Sequence, residues 1–275
     1  MNCIVDWYSF TVPANAAGLT HSAEAYDFLE HKLETGGGYQ LFQLIGGKQG
    51  TPRNGRGHYG AGVYYEQFHI SVWWGGIADH VLVEIAGVGC EALRAEGLLS
   101  NLISDTHSRC TRLDIAIDFQ TNVTPSQFCS SGYNERFKSR GTFNSPDGST
   151  EYVGSPKSDR FSRIYRYNKP HPRSEFLRIE AVLRGNYAKA AAKTLSHSDI
   201  SDLASQLGNS FMWRHPLWNV SSPSDGKLAF ARDEKGDASS LFWLARQVKP
   251  ALIRLGREKV INLEEFFADI LSEIE

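Results

Sequence analysis

The chain has 275 residues, 41% hydrophobic and 22% charged, an ordinary globular balance that excludes wholesale disorder. Its 29 basic and 31 acidic side chains sum to −2, which excludes a histone-like chain that holds polyanions by bulk charge. No apolar run is long enough to span a membrane; the first ten residues lack a basic signal-peptide start, and Cys3, Cys90, Cys110 and Cys129 form no CxxC pair. Reduced thiols, a cytoplasmic location and no membrane partner are the expectation.

In chain order, Cys3 to Val12 alternates, is rich in β-formers and ends at Pro13. Gly62 to Trp74 and Val81 to Ala86 read as two further strands around the turn signal Gly75-Gly76. Cys90 to Ser104 spaces its leucines and isoleucines at helical intervals. Arg112 to Phe119 alternates strictly, with Leu113, Ile115 and Ile117 on one face and Arg112, Asp114, Ala116 and Asp118 on the other. A helix from Pro125 to Lys138 follows Thr124, a suitable N-cap with proline at the first helical position. Glu151 to Gly154, Phe161 to Tyr167 and Phe176 to Leu183 complete the strands, with turns at Pro146-Asp147-Gly148 and around Pro170-His171-Pro172. Tyr187 to Leu207, Leu241 to Leu255 and Leu263 to Ile274 read as helices, and the Ser-, Asp- and Gly-rich stretch from Asn219 to Ser240 as a loop.

Clustered strands with helices between them, and no regular βαβ alternation, predict an α+β fold with a central, mostly antiparallel sheet flanked by helices. Residues 1–190 are expected to form the core. Residues 191–275 are expected to form a mainly helical C-terminal part packed on it or appended to it.

Charge is spread unevenly. Arg136 to Arg184 holds eleven Lys/Arg against five Asp/Glu, whereas Arg257 to Glu275 holds two against six. A basic central segment in a near-neutral protein points to an anionic ligand met at one face; a solvated hairpin surface is the plainer reading.

Several signatures of chemistry are absent: there is no GxxxxGK[ST] phosphate loop, HExxH or GxSxG. The nine histidines are scattered, and a lone one such as His69 is more often structural than a ligand. What stands out is acids inside apolar strands. Asp114 and Asp118 share a strand face, and Glu84 and Glu180 sit within VLVEIA and LRIEAVL. Burying carboxylates is costly unless a cation or hydrogen bonds offset it, and oxygen-only ligands favour Mg²⁺ or Mn²⁺. The plainer alternative pairs the acids with Arg112 and Arg178. Four residues of strand separate Asp114 from Asp118 by about 13 Å, so the two cannot easily close on one ion. Glu180 is the first choice for a partner from a neighbouring strand.

The segment from Gly154 to Lys169, GSPKSDRFSRIYRYNK, carries Lys157, Arg160, Arg163, Arg166 and Lys169 together with Tyr165 and Tyr167. Arginines hold phosphates bidentately, and rings stack on unpaired bases. A tyrosine hydroxyl can attack phosphorus if a base or metal offsets its pKa of about 10. Alone, the segment reads equally well as an arginine–aromatic ladder.

Five pieces in order, DWYSFTVP at Asp6, VLVEIAGVGCEAL at Val81, TRLDIAIDF at Thr111, TEYVGSPKSDRFSRIY at Thr150 and LRIEAVLRG at Leu177, resemble the replication initiation factor family. These are the tyrosine initiators and relaxases of rolling-circle plasmids, filamentous phages and some conjugative elements. The resemblance covers about 180 residues and stops near Gly185. It implies an HUH-endonuclease-like sheet and a divalent metal, Mg²⁺ or Mn²⁺, held by acids that fall on Asp114, Glu180 and Asp118. It further implies nicking of one strand at an origin, with a 5′-phosphotyrosyl link and a free 3′-OH. Single-stranded or supercoiled origin DNA is the implied partner, with a host helicase and a second copy of the chain as further ones. Carried over by register, the nucleophile is Tyr165. Tyr167 competes, because Tyr167-Asn168-Lys169 copies the family's tyrosine–Asp/Asn–lysine triplet. Arg163, Lys157, Arg160, Arg166 and Lys169 are the expected phosphate and DNA contacts. Pro156 stands where the family commonly has a basic residue, and Tyr167 where it usually has lysine. A DNA-binding regulator that does not cut, and a metal-dependent nuclease that activates water, are the alternatives.

Overall fold

The structure is a computed structural model. It describes residues 2–13, 37–46, 48–75, 80–105, 108–131, 139–146, 148–166 and 176–211, together with 217, 253–254 and 262. The chain divides into two compact units, Met1–Phe230 and Ala231–Glu275; the ten strands and six helices named in this section all lie in the first. The helices expected at Leu241 to Leu255 and Leu263 to Ile274, the loop before them, Tyr167, Lys169 and the turn at Pro170-His171-Pro172 lie almost wholly outside the described residues.

Alternating sequence makes the sheet. The strands are β1 (Asn2–Pro13), β2 (Thr51–Asn54), β3 (Ala61–Tyr65), β4 (Ile70–Trp74), β5 (His80–Ala86), β6 (Arg109–Gln120), β7 (Arg140–Ser145), β8 (Gly148–Val153), β9 (Arg160–Arg166) and β10 (Phe176–Arg184). They form one ten-stranded sheet in the order β2-β3-β4-β5-β1-β6-β10-β9-β8-β7. Every pairing is antiparallel. The α+β expectation with a central antiparallel sheet therefore holds.

Six helices accompany it: α1 (Gly37–Ile45), α2 (Gly87–Ala95), α3 (Leu98–Ile103), α4 (Pro125–Ser131), α5 (Gly185–Leu195) and α6 (Ile200–Phe211). Helix α5 packs on β6, and α2 and α6 pack on β1. They cover the face that carries Leu113, Ile115 and Ile117 of β6 and Ile179, Ala181 and Leu183 of β10, all in one hydrophobic cluster. Burying that face supplies most of the driving force for the fold. The start of α4 is fixed as expected: the Gln127 amide donates to Thr124 Oγ1 at 3.2 Å and the Thr124 amide to Gln127 Oε1 at 2.9 Å. This reciprocal pair is a capping box.

Three expected elements divide. The run from Gly62 to Trp74 is a hairpin, not one strand. A 3₁₀ turn at Glu66–Phe68 and a left-handed His69 at φ 50° reverse the chain between β3 and β4. The helix expected from Cys90 to Ser104 breaks at Gly97, whose φ of 70° is a conformation that glycine adopts without steric cost. Tyr187 to Leu207 is two helices, closed and reopened around Ser196 and Ile200.

The packed unit continues past residue 190. Leu203, Ala204, Leu207 and Phe211 of α6 belong to the same core cluster. Leu207→Ala should therefore destabilise the protein by about 2–5 kcal/mol through lost transfer energy and a cavity, read as a lower urea midpoint. A change under about 0.5 kcal/mol, the range of ordinary surface substitutions, would show that α6 is not part of the cooperative core.

Candidate functional site

Antiparallel register carries the site on the sheet face opposite the helices. On β6 this face holds Arg112, Asp114, Ala116 and Asp118. Strand β10 pairs Glu180 with Ala116 and Arg178 with Asp118. Strand β9 pairs Arg163 with Glu180 and Tyr165 with Arg178. Strand parity therefore brings Asp114, Glu180, Arg163 and Tyr165 together from three adjacent strands. The small Ala116 lies directly across from Glu180, with Asp114 on the diagonal.

The charges are desolvated: Asp114 and Glu180 are 1% exposed, and Asp118 and Arg178 are 4% exposed. Each is paired. Arg112 Nε donates to Asp114 Oδ1 at 2.9 Å, and Arg163 Nη2 donates to Glu180 Oε1 and lies 3.9 Å from Asp114 Oδ2. The Tyr165 hydroxyl donates to Glu180 Oε2 at 3.1 Å. Arg178 grips Asp118 with two bonds, Nε to Oδ1 at 2.7 Å and Nη2 to Oδ2 at 2.9 Å. Its remaining Nη1 donates to Asp6 Oδ1 at 3.1 Å. The plainer alternative of acids paired with Arg112 and Arg178 is thus realised for both aspartates. Asp118 meets Arg178 across strands, whereas Arg112 meets Asp114 along its own.

Asp6 is the residue that sequence reasoning left without a role. It sits where the β1–β6 register slips between Val5 and Trp7, a bulge that re-aims a side chain. Gly87 opens α2 against it, and a Cβ there would come within 2.9 Å of Asp6 Oδ1. The only sequence signal was its position at the head of DWYSFTVP.

Burial raises the pKa of Glu180; Arg163 opposes the rise and Asp114 adds to it. Burial likewise raises Asp114 against the pull of Arg112, and Asp6, where Glu180 adds to the effect. The Tyr165 phenol is pushed well above its ordinary value by burial and then by the Glu180 charge. Burial works against the charge on Arg163, but Glu180 outweighs it and the pKa rises. Arg163 Nε is buried without a hydrogen-bond partner among the described residues, so this guanidinium is held by one edge only.

The basic residues of the Gly154–Lys169 segment separate by parity. Arg160 and Arg166 lie on the face opposite Arg163 and Tyr165. Arg166 donates to the carbonyls of Thr121 and Val123 at 3.0 and 3.1 Å, and Arg160 stacks on Tyr187 at 4.9 Å. Lys157 is exposed in the loop before β9.

A divalent ion of the Mg²⁺ kind is commonly held by one or two carboxylates plus a substrate phosphate. Asp114 and Glu180 are adjoining oxygen ligands, but Arg112 takes both oxygens of Asp114, and Arg163 and the Tyr165 hydroxyl take those of Glu180, so an ion would have to displace these partners. Asp118 is committed in the same way, with both of its oxygens on Arg178. Among the described residues no group of three acidic, histidine or cysteine side chains is placed to hold a metal.

Arg178 anchors two carboxylates, so Arg178→Met would leave the buried Asp118 and the half-buried Asp6 without a counter-charge. A loss of about 3–5 kcal/mol in unfolding free energy is expected, measured by chemical denaturation; a loss below about 1 kcal/mol would mean that the pair is open to solvent.

No family model matches the chain, and no curated protein matches it. Among solved structures, the rolling circle replication initiator protein from Geobacillus stearothermophilus is similar, with a TM-score of 0.58 and 21% identity over 84% of this chain and 92% of that one. At that identity the likeness is one of fold: the chain has the α+β fold of a rolling circle replication initiator.

Proposed function

We propose that the protein is a rolling-circle replication initiator that nicks one DNA strand at an origin, with Tyr165 as the nucleophile. The observation that carries this reading is the Tyr165 hydroxyl bonded to Glu180 Oε2 at 3.1 Å, on a polar sheet face that also presents Arg163, in a fold shared with such an initiator. The five sequence pieces that resemble the replication initiation factor family support it independently, since they include β6, β9 and β10.

A neutral phenol is a poor nucleophile, and burial makes it poorer by holding the proton. Glu180 addresses this. It accepts the phenol hydrogen bond, and burial, with Asp114 adding to it, raises its basicity. As Tyr165 Oη forms its bond to phosphorus, the proton passes to Glu180 Oε2. The bond from phosphorus to the 3′ oxygen breaks, and that oxygen leaves as a 3′-hydroxyl with a proton taken from solvent. Arg163 lies beside Tyr165 with a third of its side chain exposed, and it is the proposed group that neutralises the non-bridging oxygens as charge builds there. A Mg²⁺ or Mn²⁺ could be held by Asp114 and Glu180 only in place of Arg112 and Arg163, and would then supply Lewis-acid stabilisation of the scissile phosphate. Lys157 is the proposed flanking phosphate contact on the loop before β9. Because the phosphotyrosyl bond conserves the phosphodiester energy, attack by a 3′-hydroxyl rejoins the strand without a nucleotide cofactor.

A second reading has a specific observation in its favour. The ion pairs occupy the oxygens of both aspartates and of Glu180, as they would in a scaffold that binds an origin without cutting it.

A denaturing gel with labelled single-stranded origin DNA separates the two. The nicking reading expects a covalent protein–DNA band that Tyr165→Phe abolishes while the fold is kept. Wild-type protein that binds the strand and yields no adduct and no 3′-OH product would establish the non-cutting reading. Glu180→Gln keeps the hydrogen bond to the phenol and removes the base, so adduct formation should slow by about 10²-fold or more. Chelation by EDTA should stop cleavage and leave most DNA binding, which rests on phosphate contacts; full nicking in EDTA would remove the metal from the proposal.

A further inference from the structure

The polar face of the sheet continues well beyond Tyr165. Register places Arg53 of β2 opposite Gly62, Tyr64 opposite Ser71, Gly62 opposite Trp73, Ser71 opposite Glu84, Glu84 opposite Ser9 and Ser9 opposite Arg112. All of these side chains therefore share the face of Asp114 and Glu180.

Along this face arginines lie over aromatic rings. Arg53 sits 5.1 Å from the Tyr64 centroid, Arg56 5.0 Å from Trp73 and Arg112 4.5 Å from Trp7. Two of the stacks are pinned from the side. Glu84 accepts Arg56 Nη2 at 2.8 Å on one oxygen and Trp73 Nε1 at 2.9 Å on the other. Trp7 Nε1 donates to Ser9 Oγ at 2.6 Å, while Arg112 is bonded to Asp114. Trp73 lies flat against the sheet, because a Cβ on Gly62 would come within 2.4 Å of its ring. Arg56 covers that ring and remains 58% exposed at its side chain; Arg53 is exposed as well.

A guanidinium laid on a ring turns its second planar face outward, while its edges keep donors for phosphate. Such a plane stacks on an unpaired nucleobase. Three in succession, with two carboxylates paired to them, Glu84 and Asp114, complement an unstacked, anionic strand. A duplex buries its base faces and has nothing to offer a flat stacking surface. Arg112 makes the track continuous with the Tyr165 site, since it holds Asp114. From β3 to β9 there are six strand spacings, about 29 Å, so the track and the site together span several nucleotides.

We infer that the β2-to-β6 half of this polar face is a binding track for single-stranded DNA, which holds the strand flanking the one at Tyr165. The inference rests on the reading that this face receives DNA, and it does not depend on cleavage.

The test uses the full chain and fluorescein-labelled oligo-dT of about 10 and about 30 nucleotides, since stacking tolerates any base. Binding is followed by anisotropy across a salt series. The wild type should bind the longer strand more tightly, with a steeper salt dependence. Arg53→Ala/Arg56→Ala should lose about tenfold in affinity for the longer strand, and its salt slope should fall by about 1.4 for two lost phosphate contacts. Arg53→Ala alone leaves the Arg56–Glu84 pair intact and should lower the slope by about 0.7, so a fold defect in the double variant cannot mimic the result. An unchanged slope in both variants, or equally tight binding of duplex of the same length, overturns the inference. Failure of the wild type to form an adduct with an origin strand would retire the nicking reading alone, because the anisotropy measurement needs no chemistry.

Discussion

Three guanidiniums and four carboxylates share the middle of one sheet face, and the constraint on this protein is that none of these charges can be left alone there. Desolvating a single carboxylate costs several kcal/mol even after relaxation. Asp114, Asp118 and Glu180 are nearly inaccessible, so each must be met by a cation of the right reach. Arg178 meets two acids at once, Asp118 and Asp6, and so ties β10 to both β6 and β1. The network is weak support for overall stability, since apolar residues of similar volume would pack at least as well.

The two sides of the sheet divide the labour. The helix-covered side is apolar, with Leu113, Ile115, Ile117, Ile179 and Leu183 fully buried, and it holds the strands in one register. That register in turn fixes where the polar side chains of the other face meet. A slip of one residue between β9 and β10 would place Ile164 where Arg163 now stands, with Glu180 left unpaired. The core thus sets the site geometry without contributing an atom to it.

In the proposed chemistry the same pairing has a second consequence. Glu180 is basic because it is buried beside Asp114, and Tyr165 is protonated because it is buried beside Glu180. The second effect by itself would impair attack, but the hydrogen bond between the two groups couples them into one proton transfer. Arg163 has one edge on Glu180 and a third of its side chain exposed, so in this chemistry it serves either as internal counter-cation or as a phosphate ligand. Arg160 and Arg166 cannot share that role from where they stand. Strand alternation turns them to the other face, where Arg166 holds the loop after β6 through two carbonyls.

Alternation was legible wherever one face of a strand is buried and the other polar. It located β1, β5, β6, β9 and β10, and it put Asp114, Asp118, Arg163 and Tyr165 on definite faces. β2 is exposed throughout and β7 nearly so; with no buried side to demand apolar residues, these edge strands left no pattern to read. The breaks at His69 and Gly97 were hidden because apolar spacing continues across them, while a single backbone angle decides the reversal. Sequence by itself determined the fold class and which residues share a strand face, because side-chain period is a local property of the chain. The tertiary structure alone decided that Arg178 binds Asp118 and Asp6, not Glu180, and that Glu180 meets Arg163 and Tyr165. Those partners lie on different strands, and only the packed sheet sets the offset between one strand and the next.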